Sequence, residues 1–264
     1  MLIDSHCHLD RLDLFGDSVD LSAALITARN RGVSGFLAIG VDLESSANLT
    51  KLADAHTDIF VAVGMHPLQD NPLPIPQAAE LVNLASHRKV VAIGETGLDY
   101  YYSKESADWQ KDSFVRHLQV AGQTAKPTIV HTRNAQADTL ALIKEYGCLE
   151  RGGVLHCFTE SWEMARAALD LNYYISFSGI ITFRNADELR NVVKKVPLDR
   201  MLVETDSPWL APVPYRGKPN KPEYVWEVAA MVAELKGLSF EELAAATTDN
   251  FSRLFNVDMV NHQV

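Results

Sequence analysis

Eight short apolar runs punctuate the chain, at residues 2–6, 35–39, 59–64, 90–95, 128–131, 154–156, 173–177 and 201–206. They are rich in Val, Ile, Leu and Ala and do not alternate strictly with charged residues. That pattern predicts strands covered on both faces. Helical spacing of apolar positions fills the intervals. One helix is predicted over 19–31, stopped by Gly32, and another over 77–87, opened by Pro76. A long one is predicted over 105–125, ahead of Pro127. A fourth spans 162–171, with Ser161 as its cap and Glu160 and Glu163 at its positive end. After the last run, Pro208, Pro212, Pro214, Pro219 and Pro222 mark a loop before two or three C-terminal helices. A loop of that length is more than a connection and is expected to border a site. Parallel neighbours need crossovers, so repeated strand–helix pairs predict one α/β domain over residues 1–264. The expected architecture is a single (β/α)8 TIM barrel, regular or distorted, with extra C-terminal helices.

The candidate chemistry sits at the ends of these runs. His6 and His8, Glu95, His131, His156 and Asp206 each close one of them. A parallel barrel carries all its strand ends to one face, so groups far apart in sequence would converge there. His6 and His8, two apart on a strand, project to the same side, with Cys7 turned to packing. Burying an acid or an imidazole costs several kcal/mol unless it is paired or metal-bound. Six such groups on one core therefore demand compensation. Divalent metal is one answer; a network of ion pairs and hydrogen bonds among satisfied core residues is the other.

Composition narrows the class. The 264 residues are 47% hydrophobic and 22% charged, which suits one barrel of the usual length, about 250 residues. No run approaches the roughly 18 apolar residues of a membrane span. Met1 leads almost directly into the first strand, so no signal peptide is expected. Three cysteines without CxxC spacing fit a reducing cytoplasm, with Cys148 and Cys157 read as buried small hydrophobes. A net charge of −10 argues against broad capture of nucleic acid, although bound cations would supply local positive charge.

Motifs then accumulate in order: SHCHLD at 5–10, GMHP at 64–67, GETGLDYYY at 94–102, HTRNA at 131–135 and GGVLHCFT at 152–159. ISFSGIITFRNA at 175–186, MLVETDSP at 201–208 and TTDNFSRLF at 247–255 follow. Together they resemble the TatD-type metal-dependent hydrolases of the amidohydrolase-like barrels, in their YcfH-like branch. The resemblance implies two divalent ions per chain, drawn from Zn, Mn, Mg, Co, Ni or Fe. It implies that His6, His8 and Asp206 hold one ion, that His131 and His156 hold the other, and that Glu95 bridges both. Where many members carry Asp, this chain has Asn134, so no role needing a carboxylate is transferred there.

The chemistry so implied is metal-dependent deoxyribonuclease action on DNA phosphodiesters, single-stranded or from an end. Asp206 is expected to accept the nucleophile's proton, and Glu204 and Asp4, two residues before ligands, to support them from deeper in the barrel. His66 is expected to contact substrate or protonate the leaving group. Arg133 and Arg184, with Arg216 and Lys218, are candidate phosphate contacts, and Tyr100, Tyr101, Tyr102 and Trp209 candidate stacking surfaces. His56, His87, His117 and His262 carry no ligand pattern and read as structural or solvated. A second enzymatic reading is ester or amide hydrolysis, including a D-aminoacyl-tRNA substrate. A third is a non-catalytic interaction protein whose metals only staple the barrel; six ligands shared by two ions would leave open positions, against a closed staple.

Overall fold

The computed structural model describes residues 1–13, 20–69 and 73–259. All eight apolar runs are strands of one parallel sheet in sequence order: β1 (Leu2–Cys7), β2 (Val33–Ile39), β3 (Ile59–Val63), β4 (Val90–Asp99), β5 (Thr128–Arg133), β6 (Gly153–Leu155), β7 (Tyr173–Phe177) and β8 (Met201–Val203). At the seam, Asp206 N–H donates to the His6 carbonyl and His8 N–H to the Ser207 carbonyl, both at 2.9 Å. The result is a TIM barrel whose last gap is joined by β1 and the segment after β8.

Crossovers are supplied by α1 (Leu21–Asn30), α2 (Leu43–Asp54), α3 (Ala78–Ala85), α4 (Ala107–Thr124), α5 (Gln136–Tyr146), α6 (Trp162–Asp170) and α7 (Asp187–Lys195). α8 (Val225–Lys236) and α9 (Phe240–Phe255) follow the proline-rich loop. Ser161 caps α6 as its sequence suggests, its Oγ accepting from Met164 N–H at 3.2 Å. The predicted helix at 105–125 starts later, because residues 104–106 form a 3-10 turn, and it stops at Ala125 in the left-handed region (φ 51°). Val19, the expected start of the first helix, and His262 lie outside the described residues. Among the described residues no helix is long and apolar enough to cross a membrane.

Alternation along the strands divides the hydrophobic core in two. Phe36, Ala38, Val61, Val63, Val130 and Ile175 face the helices. Ile3, Leu37, Ile39, Phe60, Ala62, Ile129, Val154 and Leu202 fill the lower interior, where Phe251, Leu254 and Phe255 of α9 pack against them. Helix α9 thus plugs one end of the barrel with hydrocarbon. Asn250 fixes it there, its amide donating to the Leu198 and Met201 carbonyls at 2.7 and 2.8 Å. The opposite end, where the strands finish, carries the polar side chains.

Candidate metal centre

Two strands lose register where the candidate ligands begin. Along β1, Asp4 pairs with Phe36 and Cys7 with Ala38, so three steps face two. Along β4, Ile93 pairs with Thr128 and Thr96 with Val130, again three against two. An extra residue of this kind bends the strand and re-aims its side chains. Glycine makes the second bulge possible. Gly94 and Gly97 hold φ of 147° and 135°, a region side chains rarely enter. A Cβ on Gly94 would also lie 2.6 Å from the Ile129 carbonyl oxygen, and one on Gly97 would collide with the His131 carbonyl.

Glu95, between these glycines, is buried and splits its two oxygens between two histidine groups. Oε2 lies 3.3 Å from His6 Nε2 and 3.8 Å from His8 Nε2. Oε1 lies 2.7 Å from His156 Nε2, 3.2 Å from His66 Nε2 and 3.4 Å from His131 Nδ1. Asp206 completes the first group, with Oδ1 3.6 Å from His6 Nε2 and 3.5 Å from His8 Nε2. Its backbone is left-handed (φ 58°), a conformation that aspartate tolerates and that turns the carboxylate inward after β8. The six candidate ligands therefore meet in one cluster. The two groups also touch, since the His6 and His156 rings stack at 3.8 Å. The Glu95 oxygens, rather than distance alone, separate them.

The donor set fits divalent cations on three observations. His6 Nε2 and His8 Nε2 face each other at 3.3 Å, and each lies 3.3–3.8 Å from both Glu95 Oε2 and Asp206 Oδ1. Ligands about 2.0–2.1 Å from a tetrahedral ion stand about 3.3–3.4 Å apart. Glu95 Oε2 is buried without a hydrogen-bond partner, the orphaned state a cation would relieve. Imidazole and carboxylate together suit borderline divalent metals.

The charge balance agrees. Burial would raise the Glu95 carboxyl, but the histidines around it, led by His156, hold it well below the usual range. Burial acts likewise on Asp206, yet the hydrogen bond with His8 and the nearby imidazoles keep it low. Burial depresses His6. It would depress His156 too, but the charge of Glu95 outweighs it and drives this imidazole well above its ordinary value. His131 is raised, against burial, by its hydrogen bonds to Asp99 and Glu95.

Carboxylates stand behind two of the histidines. Glu204 Oε1 lies 3.3 Å from His156 Nδ1 and accepts from Cys157 N–H, while Ser176 Oγ–H donates to Oε2 at 2.5 Å. Asp99 Oδ2 lies 2.9 Å from His131 Nε2. Sequence reading ended the fourth strand at Glu95 and so missed Asp99. The signal was available: Glu95 and Asp99 sit at i and i+4 of one strand, with the permissive Gly97 between them. Asp4 differs from its expected role. The β1 bulge turns it off the ligand face, and its carboxylate accepts from Thr205 N–H and Oγ–H at 2.8 and 2.6 Å, tying β1 to the segment after β8.

His66 follows β3, and Leu68 N–H donates to its Nδ1 at 3.0 Å. The neutral ring then carries its proton on Nε2, aimed at Glu95. Its loop is held by buried His117, whose Nε2 accepts from Met65 N–H at 3.0 Å. The proline-rich loop borders the cluster, with Trp209 edge-on to His8 at 5.0 Å between ring centres. Arg133 lies over Tyr101 and Tyr102 at the rim. Arg184 is exposed, and no hydrogen bond or ion pair joins it to the cluster. Arg216 covers the Phe183 ring at 3.7 Å, and Lys218 is exposed. Asn134 is exposed and left-handed (φ 54°), its N–H donating to Glu160 at 3.1 Å. Cys148 and Cys157 are half-buried rather than buried, Cys157 because it sits on the turn after β6 with its sulfur 3.1 Å from Ser178 Oγ.

Comparison with known proteins identifies the family and the fold. The family of TatD-related DNases matches residues 3–256. The chain is 50% identical to YcfH of Escherichia coli K12, named an uncharacterized metal-dependent hydrolase, over 97% of this chain and 96% of that one. It is 40% identical to YabD of Bacillus subtilis, named likewise, over 98% and 100%. Among solved structures, the TatD homolog YjjV of Escherichia coli superposes with a TM-score of 0.89 at 32% identity, over 97% and 98% of the two chains. An amidohydrolase from Saccharomyces cerevisiae shares the fold, with a TM-score of 0.82 at 20% identity. This chain is a metal-dependent hydrolase of the TatD family.

Proposed function

We propose that this hydrolase cleaves phosphodiester bonds of DNA at a dinuclear metal centre. One observation carries the reading: a single buried carboxylate, Glu95, turns one oxygen to His6 and His8 and the other to His131 and His156. His6, His8 and Asp206 would hold one ion, His131 and His156 the second, and Glu95 would be shared. Bound divalent cations supply Lewis acidity to the scissile group and acidify the attacking water.

The protein's own groups do the rest. Asp206 turns Oδ1 to His6 and His8, leaving Oδ2 to accept the nucleophile's proton, and its lowered pKa keeps it ionised for that work. His66 Nε2–H, 3.2 Å from Glu95 Oε1, would be free for a phosphoryl oxygen where a cation takes up that carboxylate. Proton donation to the leaving group would need an imidazolium, whose Nδ1–H would point at the N–H of Leu68, so hydrogen bonding suits this ring better. Arg133 contributes free guanidinium donors at the mouth. Glu204 and Asp99 orient the rings of His156 and His131.

The test is release of nucleotides from single-stranded DNA by protein shown to contain its metals, with Mg²⁺, Mn²⁺ or Zn²⁺ present. No release under any of them overturns the reading. Turnover of a D-aminoacyl-tRNA without DNA degradation would replace it with acyl hydrolysis.

A further inference from the structure

The rim beside the His131 strand carries two large aromatic side chains in water. Tyr101 and Tyr102 are 58% and 61% exposed, although a chain of this composition has ample core to take them. They do not wander. Asp99 Oδ1 accepts from both their backbone N–H groups, at 2.9 and 2.8 Å, while its other oxygen holds His131. Tyr100 N–H donates to the Arg133 carbonyl at 2.9 Å, and the Tyr100 hydroxyl donates to Asp138 at 2.7 Å. The turn is therefore pinned on both sides, and its two outer rings meet edge-to-face at 4.8 Å.

Arg133 lies against both rings, 4.2 Å from the centre of Tyr101 and 4.7 Å from that of Tyr102. It stands two residues beyond His131 on β5, opposite Asp99 in the strand register. Its guanidinium makes no hydrogen bond or ion pair among the described residues, so its five N–H donors remain for an anion. Exposed rings cost hydration, and this guanidinium has donors with no carboxylate partner among the described residues. A nucleotide satisfies both at once, its base stacking on tyrosine and its phosphate meeting the guanidinium.

We propose that Tyr101, Tyr102 and Arg133 form a stacking site for a nucleobase of single-stranded DNA, set next to the metal centre through Asp99. This deepens the phosphodiesterase reading and rests on it for the identity of the ligand. The site grips one base beside the scissile linkage and reads no sequence, because every base has a stackable face.

The test is binding of a fluorescent phosphorothioate oligothymidylate to the metal-loaded protein, followed by anisotropy. The comparison strand has the same backbone and length but no bases. Stacking of about 1–3 kcal/mol per base predicts that wild type prefers the strand with bases by about 5- to 150-fold. The Tyr101→Ala/Tyr102→Ala variant should lose that preference, and Tyr101→Trp/Tyr102→Trp should keep it. Equal wild-type affinity for the two strands, or no affinity for either, overturns the proposal without reference to any variant. So does a preference that survives in the alanine variant. Hydrolysis of a small aryl phosphodiester by wild type tests the phosphodiesterase reading separately. Its absence would remove that reading, while the stacking site stands or falls on the two strands.

Discussion

The two ends of this barrel are built from the same strands by opposite rules. At the floor, Ile3, Leu37, Ile129 and Leu202 pack together and meet Phe251 and Phe255 of α9. At the rim, two to four residues further along, the inward positions become His6, Glu95, His131 and Asp206, and register breaks again in β1 and β4. The floor is held by burial of hydrocarbon, which needs only volume and pattern. The rim concentrates acids and imidazoles that strain the structure until something neutralises them. Stability and chemistry are thus assigned to separate ends, and each should be breakable without the other.

The largest effect is expected at the rim. Asp206→Asn keeps the shape and removes the proton acceptor, so turnover should fall about 10²–10⁴-fold. Thermal unfolding of the metal-loaded variant should stay close to that of wild type. A large loss of stability with turnover retained would make the metals structural instead. The counterpart at the floor is Phe251→Ala. Emptying a fully buried ring should cost about 3–5 kcal/mol in denaturant unfolding, with bound metal per folded chain unchanged.

Much of this division is legible in the sequence. Eight strands and six converging side chains follow from apolar runs ending in His, Glu or Asp, because a parallel barrel forces strand ends together. What escapes is what the bulges do. A strict two-residue period puts Asp4 beside His6, but the extra residue in β1 turns it towards Thr205. Glycines at 94 and 97 read as a strand end, whereas their positive φ lets β4 bend and continue to Asp99. Arg133 and Arg184 look alike in sequence. Only the fold shows one against two tyrosines and the other in solvent.

His117 of α4 supports the His66 loop. Burial lowers its pKa from 6.5 to about 4, so the folded protein favours the neutral ring. Between those values the unfolded chain binds the extra proton. This contribution is complete above pH 6.5 and lost as pH falls towards 4, by about 3 kcal/mol. Urea unfolding across that range should show the decline in wild type and a flatter one in His117→Gln. Parallel curves would assign the acid sensitivity elsewhere.

The smallest effects distinguish the two halves of the rim. His131 and His156 are backed by Asp99 and Glu204, whereas Nδ1 of His6 and of His8 has no partner among the described residues. Asp99→Asn and Glu204→Gln should each weaken one metal affinity by about 10–100-fold and spare the other. Equal weakening of both would dissolve the distinction. Because Glu95 raises the pKa of His156 and metal binds the deprotonated ring, loading should also release protons and weaken as pH falls. Calorimetry in buffers of different ionisation enthalpy reads that release.

The most direct test of the central claim is calorimetric titration of the demetallated protein with a divalent cation, wild type beside Glu95→Gln. Two ions bound per chain in wild type, with both affinities reduced in the variant, is the predicted result. A single ion, or a variant that titrates like wild type, would contradict a carboxylate shared between two metals.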